Sequence, residues 1–107
     1  MKIAVASSDG KVVNQHFGHA KEFYIFEKGI KDFKYIELRT CKAFCNSGEH
    51  DDKDLEDAIR VIEDCKYVLV NQVGLGAQQA LEWRGIDVKI ARGFINDCVM
   101  QLFKELT

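Results

Sequence analysis

Apolar positions along the chain follow two rhythms, a short-range one early and a helical one later. Ile3 to Ala6 is a continuous apolar run closed by Ser7-Ser8-Asp9-Gly10, which reads as a strand followed by a turn. Glu22-Phe23-Tyr24-Ile25-Phe26-Glu27 is aromatic and β-branched, a composition that suits a pleated, half-buried surface. Lys28-Gly29 offers a turn. Phe33 to Arg39 then alternates, with Ile36 and Leu38 on one face and Tyr35 and Glu37 on the other. The two runs predict an antiparallel hairpin. Beyond a polar, Cys-containing connection over residues 40–50, the period changes. Leu55, Ala58, Ile59 and Ile62 recur at helical spacing. Asp51 or Asp52 is placed to cap that helix, with acidic residues in its first turn.

Tyr67-Val68-Leu69-Val70 reads as a buried strand, and Gly74-Leu75-Gly76 opens the next helix, with Ala77, Ala80, Leu81 and Trp83 along it. Gly85 is placed as its C′ residue. Ile86 to Ile90 alternates with Asp87 and Lys89 as a further strand. After Arg92-Gly93, the residues Ile95, Val99, Leu102, Phe103 and Leu106 form one helical stripe.

The predicted order is β-β-β-α-β-α-β-α. A strand–helix–strand unit such as 67–90 favours parallel pairing through a right-handed crossover. The expectation is an α/β fold with a mixed five-stranded sheet flanked by about three helices, in one domain spanning 1–107. Ligands of such open sheets bind beyond the carboxyl ends of the parallel strands. The segments expected there are 7–19, 71–76 and 91–94.

Composition narrows the class. With 47% apolar and 30% charged residues in 107, the chain is long enough to build a core without a covalent staple. No apolar run approaches the ~20 residues that span a bilayer. The sequence starts directly on a strand-like run without the apolar core and cleavage site of a signal peptide. A cytoplasmic protein is expected, not a membrane one. A net charge of −2 gives no general attraction to nucleic acid. In a reducing compartment the four cysteines read as free thiols or metal ligands rather than disulfides.

Two loop clusters carry the candidate chemistry. His16 and His19 form an H-x-x-H pair within Asn14-Gln15-His16-Phe17-Gly18-His19. They read either as ligands of a metal or metal cluster or as surface or capping histidines. Gly18 between them offers an unusual backbone angle or a close approach to a ligand. Cys41-Lys42-Ala43-Phe44-Cys45 is a C-x₃-C pair followed by His50. These three residues read as soft ligands for one metal or as exposed thiols beside an unrelated imidazole. Lys42 is expected to lower a neighbouring thiol's pKa. Thiolates and imidazoles suit iron–sulfur, copper or zinc chemistry better than magnesium or calcium. Cys98, on an apolar stripe, reads as a small buried hydrophobe, and Cys65 reads as the end of a helix before a buried strand; neither is placed in the site.

Gly76, at a helix start, places N–H groups where an anion can bind, or simply packs helix against strand. The segment lacks the full G-x-G-x-x-G pattern because residue 79 is Gln79. Arg92 follows the last strand and is either a neutraliser of an anionic ligand or a solvated side chain. No catalytic set emerges: there is no G-x-S-x-G, and Asp9 alone does not make a two-metal hydrolase site.

The segments Met1 to Gly10, Asn14 to Ala20 and Phe23 to Glu27, together with Val70 to Leu81 and Trp83 to Lys89, resemble the nitrogenase iron–molybdenum-cofactor biosynthesis family. That family includes small cofactor carriers, a domain of the cofactor-maturing radical enzyme, and stand-alone homologues. The resemblance implies a ribonuclease-H-like three-layer fold. It also implies non-catalytic binding or carrying of an iron–sulfur or iron–molybdenum cluster, with a molybdenum–copper sulfide cluster as the alternative cargo. His16, in the H-F-G motif, is the residue most closely tied to the cluster. His19, Gly18, Gly76 and Arg92 are expected around it. The C-x₃-C-x₄-H segment is not shared by all members, and its presence here puts Cys41, Cys45 and His50 forward as extra metal ligands. Cofactor-biosynthesis or acceptor proteins are the implied partners. The alternative is a regulatory or protein-interaction domain of the same fold without a cluster.

Overall fold

In a computed structural model of the chain, residues 1–41, 45–46, 49–50 and 52–107 are described, the side chains of 45–54 excepted. The expected capping residue Asp51 and the expected thiol activator Lys42 lie outside the described residues. The strands are β1 (Lys2–Ala6), β2 (Val12–Val13), β3 (Glu22–Lys28), β4 (Phe33–Thr40), β5 (Cys45–Asn46), β6 (Glu49–His50), β7 (Cys65–Val70), β8 (Asp87–Ile90) and β9 (Gly93–Phe94). The helices are α1 (Asp52–Val61), α2 (Leu75–Trp83) and α3 (Ile95–Leu106).

The main sheet has five strands in the order β4-β3-β1-β7-β8. The β3–β4 hairpin and the β1–β3 pair are antiparallel, while β1–β7 and β7–β8 are parallel. The mixed five-stranded sheet with three helices is the architecture the hydrophobic pattern predicts.

Period-two alternation sorts the side chains into two cores. Ala4, Ala6, Phe23, Ile25, Val68 and Val70 face one side, where Ala58, Ile59 and Ile62 at and just beyond α1 and Ala77 and Leu81 of α2 cover them. Ile3, Val5, Phe26 and Leu69 face the other, where Ile95, Val99 and Leu102 of α3 cover them. Successive strand residues point to opposite faces, so one sheet serves two helical layers.

Local details depart from the expected pattern at Trp83 and Cys98. Trp83 is 89% exposed, because Ala77 and Leu81 set the buried stripe of α2 and Trp83 falls two residues, about 200°, round the helix. Cys98 is half-buried, its thiol donating to the Arg92 carbonyl at 3.4 Å. Cys65, expected at a helix end, is instead the buried first residue of β7. Gly85 adopts φ 81° directly after the α2 terminus, the left-handed position that glycine occupies without strain.

Candidate functional site

The carboxyl ends of β1, β7 and β8 are laced together by main-chain hydrogen bonds. The Asn71 N–H donates to the Gln15 carbonyl at 2.9 Å and the Phe17 N–H to the Gln72 carbonyl at 2.8 Å. These bonds bracket an isolated parallel bridge between His16 and Gln72. The Ala91 N–H donates to the Val70 carbonyl at 2.9 Å and the Ile95 N–H to the Lys11 carbonyl at 2.8 Å. In addition, β2 pairs with β9, placing Val13 opposite Gly93. The three segments expected beyond the parallel strand ends therefore form one surface.

The turn after β1 is built by Ser7, Asp9 and Asn14. Ser7 is fully buried, and its Oγ accepts from the Asp9 and Gly10 N–H groups at 3.3 and 3.0 Å. Asp9 Oδ1 accepts from the Lys11 and Val12 N–H groups at 2.9 and 3.2 Å and from the Ser7 hydroxyl at 3.1 Å. These bonds, chiefly that from the Lys11 N–H, hold the Asp9 carboxyl below the usual range. Asp9 is an Asx-turn residue, its Oδ1 occupied in shaping the turn after β1. Asn14 accepts from the Ser8 N–H and donates to the Ser8 hydroxyl, both at 3.0 Å.

Phe17 anchors the histidine loop. Its ring is 1% exposed and packs 5.9 Å from that of Phe23. Phe17–His19 is a single 3₁₀ turn, with the His19 N–H donating to the His16 carbonyl at 2.9 Å. Driving Phe17 inward keeps the flanking imidazoles toward the surface, His16 half-buried and His19 exposed. Their ring centroids are 5.2 Å apart at 70°. Burial, and secondarily the neighbouring His19, push the His16 pKa down, which favours the neutral imidazole.

Gly18 contributes its N–H, which donates to His16 Nδ1 at 2.9 Å. The described glycines with left-handed φ are Gly10, Gly85 and Gly93, so Gly18 serves by hydrogen bonding rather than by an unusual backbone angle.

The cysteine segment comes to the same loop. The Cys41 N–H donates to the Lys21 carbonyl at 2.7 Å, and its thiol donates to the Ala20 carbonyl at 3.4 Å. Burial pushes the Cys41 thiol pKa up, and the sulfur packs against the core of the α1/α2 layer. β5 lies against the Phe17–His19 turn, and its Cys45 stands opposite His50 of β6. The two clusters read separately from the sequence thus converge at the level of the backbone. A cavity of about 320 Å³ beside the histidine turn is lined by Ser7, Ser8, Gln15, His19, Lys21 and Glu22. Of these six, only His19 stands out in the sequence. The others have no motif and are brought in by the strand ends.

Gly76 and Arg92 follow the carboxyl ends of β7 and β8 in the chain. Gly76 is exposed in the first turn of α2, whose N-cap is Gly74. A Cβ at Gly76 would meet open space, so close helix–strand packing does not require glycine there. Arg92 is exposed and lines a different cavity, of about 330 Å³, with Leu69, Cys98 and Leu102 on the α3 side. Among the described residues, no three His, Cys, Asp or Glu side chains are grouped to hold a metal ion, and no helix is long and apolar enough to cross a membrane.

The chain matches the family described as dinitrogenase iron-molybdenum cofactor over residues 1–105. It is 41% identical over 88 residues to the FeMo cofactor biosynthesis protein NifB of Frankia alni, covering 79% of this chain and 17% of that protein. It is 34% identical over 105 residues to NifB of Herbaspirillum seropedicae, covering 96% of this chain and 20% of that protein. It spans about a fifth of the length of these relatives. The apo form of the orange protein from Desulfovibrio gigas superposes with a TM-score of 0.68 at 21% identity, covering 97% of this chain and 88% of that one.

Proposed function

We propose that this chain, which belongs to the dinitrogenase iron–molybdenum cofactor family, binds and carries a metal–sulfur cluster without chemistry of its own. The cargo is an iron–sulfur or iron–molybdenum cluster, with a molybdenum–copper sulfide cluster as the alternative. Its seat is the surface formed by the His16–Ala20 turn, Cys41 and the β5–β6 hairpin.

One observation carries the reading: the Cys41 thiol and the His16–His19 pair, far apart in sequence, meet at one loop beyond the parallel strand ends. Thiol and imidazole are soft donors matched to such clusters. His16, His19, Cys41, Cys45 and His50 are the proposed contacts. The first turn of α2 at Gly76 adds positive character at the same sheet end, suited to an anionic cargo, whereas the Arg92 guanidinium lines the cavity on the α3 side. A carrier must also release its cargo, and few ligands on a surface turn meet that need better than a closed cage.

A second reading is favoured by Trp83 and Leu75, 89% and 70% exposed on α2. Two large apolar side chains left in solvent on one helix suit a regulatory or interaction domain, or a carrier docking on a biosynthetic or acceptor protein. Anaerobic reconstitution with iron and sulfide separates the two. A charge-transfer absorption band with bound iron and sulfide supports the carrier. A colourless, metal-free protein supports the interaction domain.

A further inference from the structure

The hydrogen bond between Gly18 and His16 fixes more than a turn. Neutral imidazole has one nitrogen that donates and one that accepts. His16 Nδ1 accepts the Gly18 N–H at 2.9 Å as the N-cap of the 3₁₀ turn. The ring proton is therefore on Nε2. Among the described residues Nε2 has no hydrogen-bond partner, and His16 is only half-buried.

This polarity is the reverse of that in a metal-ligating histidine, which donates its second ring N–H to a carboxylate, carbonyl or water while the other nitrogen gives its lone pair to the metal. For Nε2 to ligate here, the proton would have to move to Nδ1. Nδ1–H would then face the Gly18 N–H, and the turn would lose its cap. The remaining route is loss of the ring proton altogether.

Resting on the cluster-binding reading above, we infer that His16 holds the cargo by donating Nε2–H to a sulfide at its surface, not by coordinating a metal. Sulfide at a cluster surface is an anionic acceptor, and hydrogen bonds to cluster sulfurs set reduction potential. A contact of this kind needs no open coordination position on the metal. It extends to any sulfide-coated anion, including a coordinatively saturated thiometallate. Release requires breaking a hydrogen bond rather than a metal–nitrogen bond.

Two substitutions separate the halves of the imidazole. His16→Asn puts an amide oxygen near the Nδ1 position and keeps the cap while removing the outer donor. His16→Gln puts an amide N–H near the Nε2 position and keeps the donor. The probe is tetrathiomolybdate, a diamagnetic sulfide-covered dianion with no vacant metal site. Titrated into the full chain, it is expected to bind wild type and His16→Gln within about threefold of one another, and His16→Asn about tenfold more weakly, the effect of one charge-assisted hydrogen bond. Long-range proton–nitrogen spectra of the histidine rings are expected to show Nε2–H in free and probe-bound protein alike.

An Nδ1–H tautomer in the free protein overturns the inference. So does undiminished binding by His16→Asn, which leaves the carrier function standing. If wild type shows Nε2–H but takes up neither tetrathiomolybdate nor a reconstituted iron–sulfur cluster, the carrier reading falls, and the donor role falls with it.

Discussion

The thiol of Cys41 donates to the carbonyl of Ala20 at 3.4 Å, joining the cysteine segment to the end of the histidine turn across 21 residues. Ala20 also closes the 3₁₀ turn through its own N–H, which donates to the Phe17 carbonyl at 3.2 Å. A change in protonation or ligation at the Cys41 sulfur therefore acts directly on the turn that presents His16 and His19.

The described thiols are expected to differ sharply in reactivity. Burial, and then the charge of Asp64, push Cys65 up to about 12, so its thiolate is scarce at pH 8 and the native protein should not be alkylated there. Cys41 is raised by burial as well but is only half-buried. Timed alkylation with peptide mass analysis should find Cys65 unmodified until unfolding. Cluster loading should protect Cys41. Cys65 labelling at the rate of a free thiol would contradict the packing described.

Phe17 is the residue whose loss should damage the site through the fold. It is 1% exposed in the core of the α1/α2 layer, and Phe→Ala in such a position costs about 3–5 kcal/mol. Denaturant unfolding should report that loss for Phe17→Ala, with cluster loading reduced as the turn loosens. Phe17→Leu should recover most of the stability.

Gly10 is constrained twice. Its φ is +74°, and a Cβ there would come within 3.0 Å of the Tyr24 ring. Gly10→Ala should therefore cost about 1–3 kcal/mol, combining left-handed backbone strain with displacement of the ring. Gly76→Ala, where a Cβ meets nothing, should be neutral or slightly stabilising as a helix substitution. Thermal unfolding of the two variants checks the contrast.

Much of this architecture is legible in the residues. The β3–β4 hairpin, the β7–α2–β8 unit and the α3 stripe follow from periods of two and 3.6, because long regular elements repeat their signal. The β2–β9 pair does not, since Val12–Val13 and Gly93–Phe94 are too short to show a period and find each other only through the fold. The H-x-x-H and C-x₃-C clusters are visible as separate motifs. Their convergence is not, because it depends on Phe17 entering the core and Cys41 following the hairpin back to Lys21. The Gly18–His16 hydrogen bond is likewise invisible: the sequence shows a glycine beside a histidine, and only the turn decides which ring nitrogen accepts.

Acid stability should depend on the Arg39–Asp64 pair. Arg39 donates to both Asp64 carboxylate oxygens, at 2.6 and 3.0 Å, and to the Val61 carbonyl at 2.8 Å, tying edge strand β4 to the end of α1. The Arg39 guanidinium, ahead of the Lys2 ammonium, holds the Asp64 carboxyl well below the usual range. A depressed folded-state pKa contributes stability above the unfolded value, near 4, and that contribution is lost as pH falls below it. Asp64 is about half exposed, so the pair is worth only about 1 kcal/mol. Asp64→Asn should lower stability at pH 7 by that amount and converge with wild type toward pH 2.

The most direct test of the cluster-carrier account is anaerobic iron, molybdenum and sulfide analysis, with an absorption spectrum, of wild type and His16→Ala prepared and reconstituted side by side. The account predicts metal and sulfide together with a charge-transfer band in wild type, and a clear loss of all of these in the variant at unchanged fold. Equal loading of the two proteins would contradict the placement of the site at His16. Absence of metal and sulfide from both would contradict cluster binding itself.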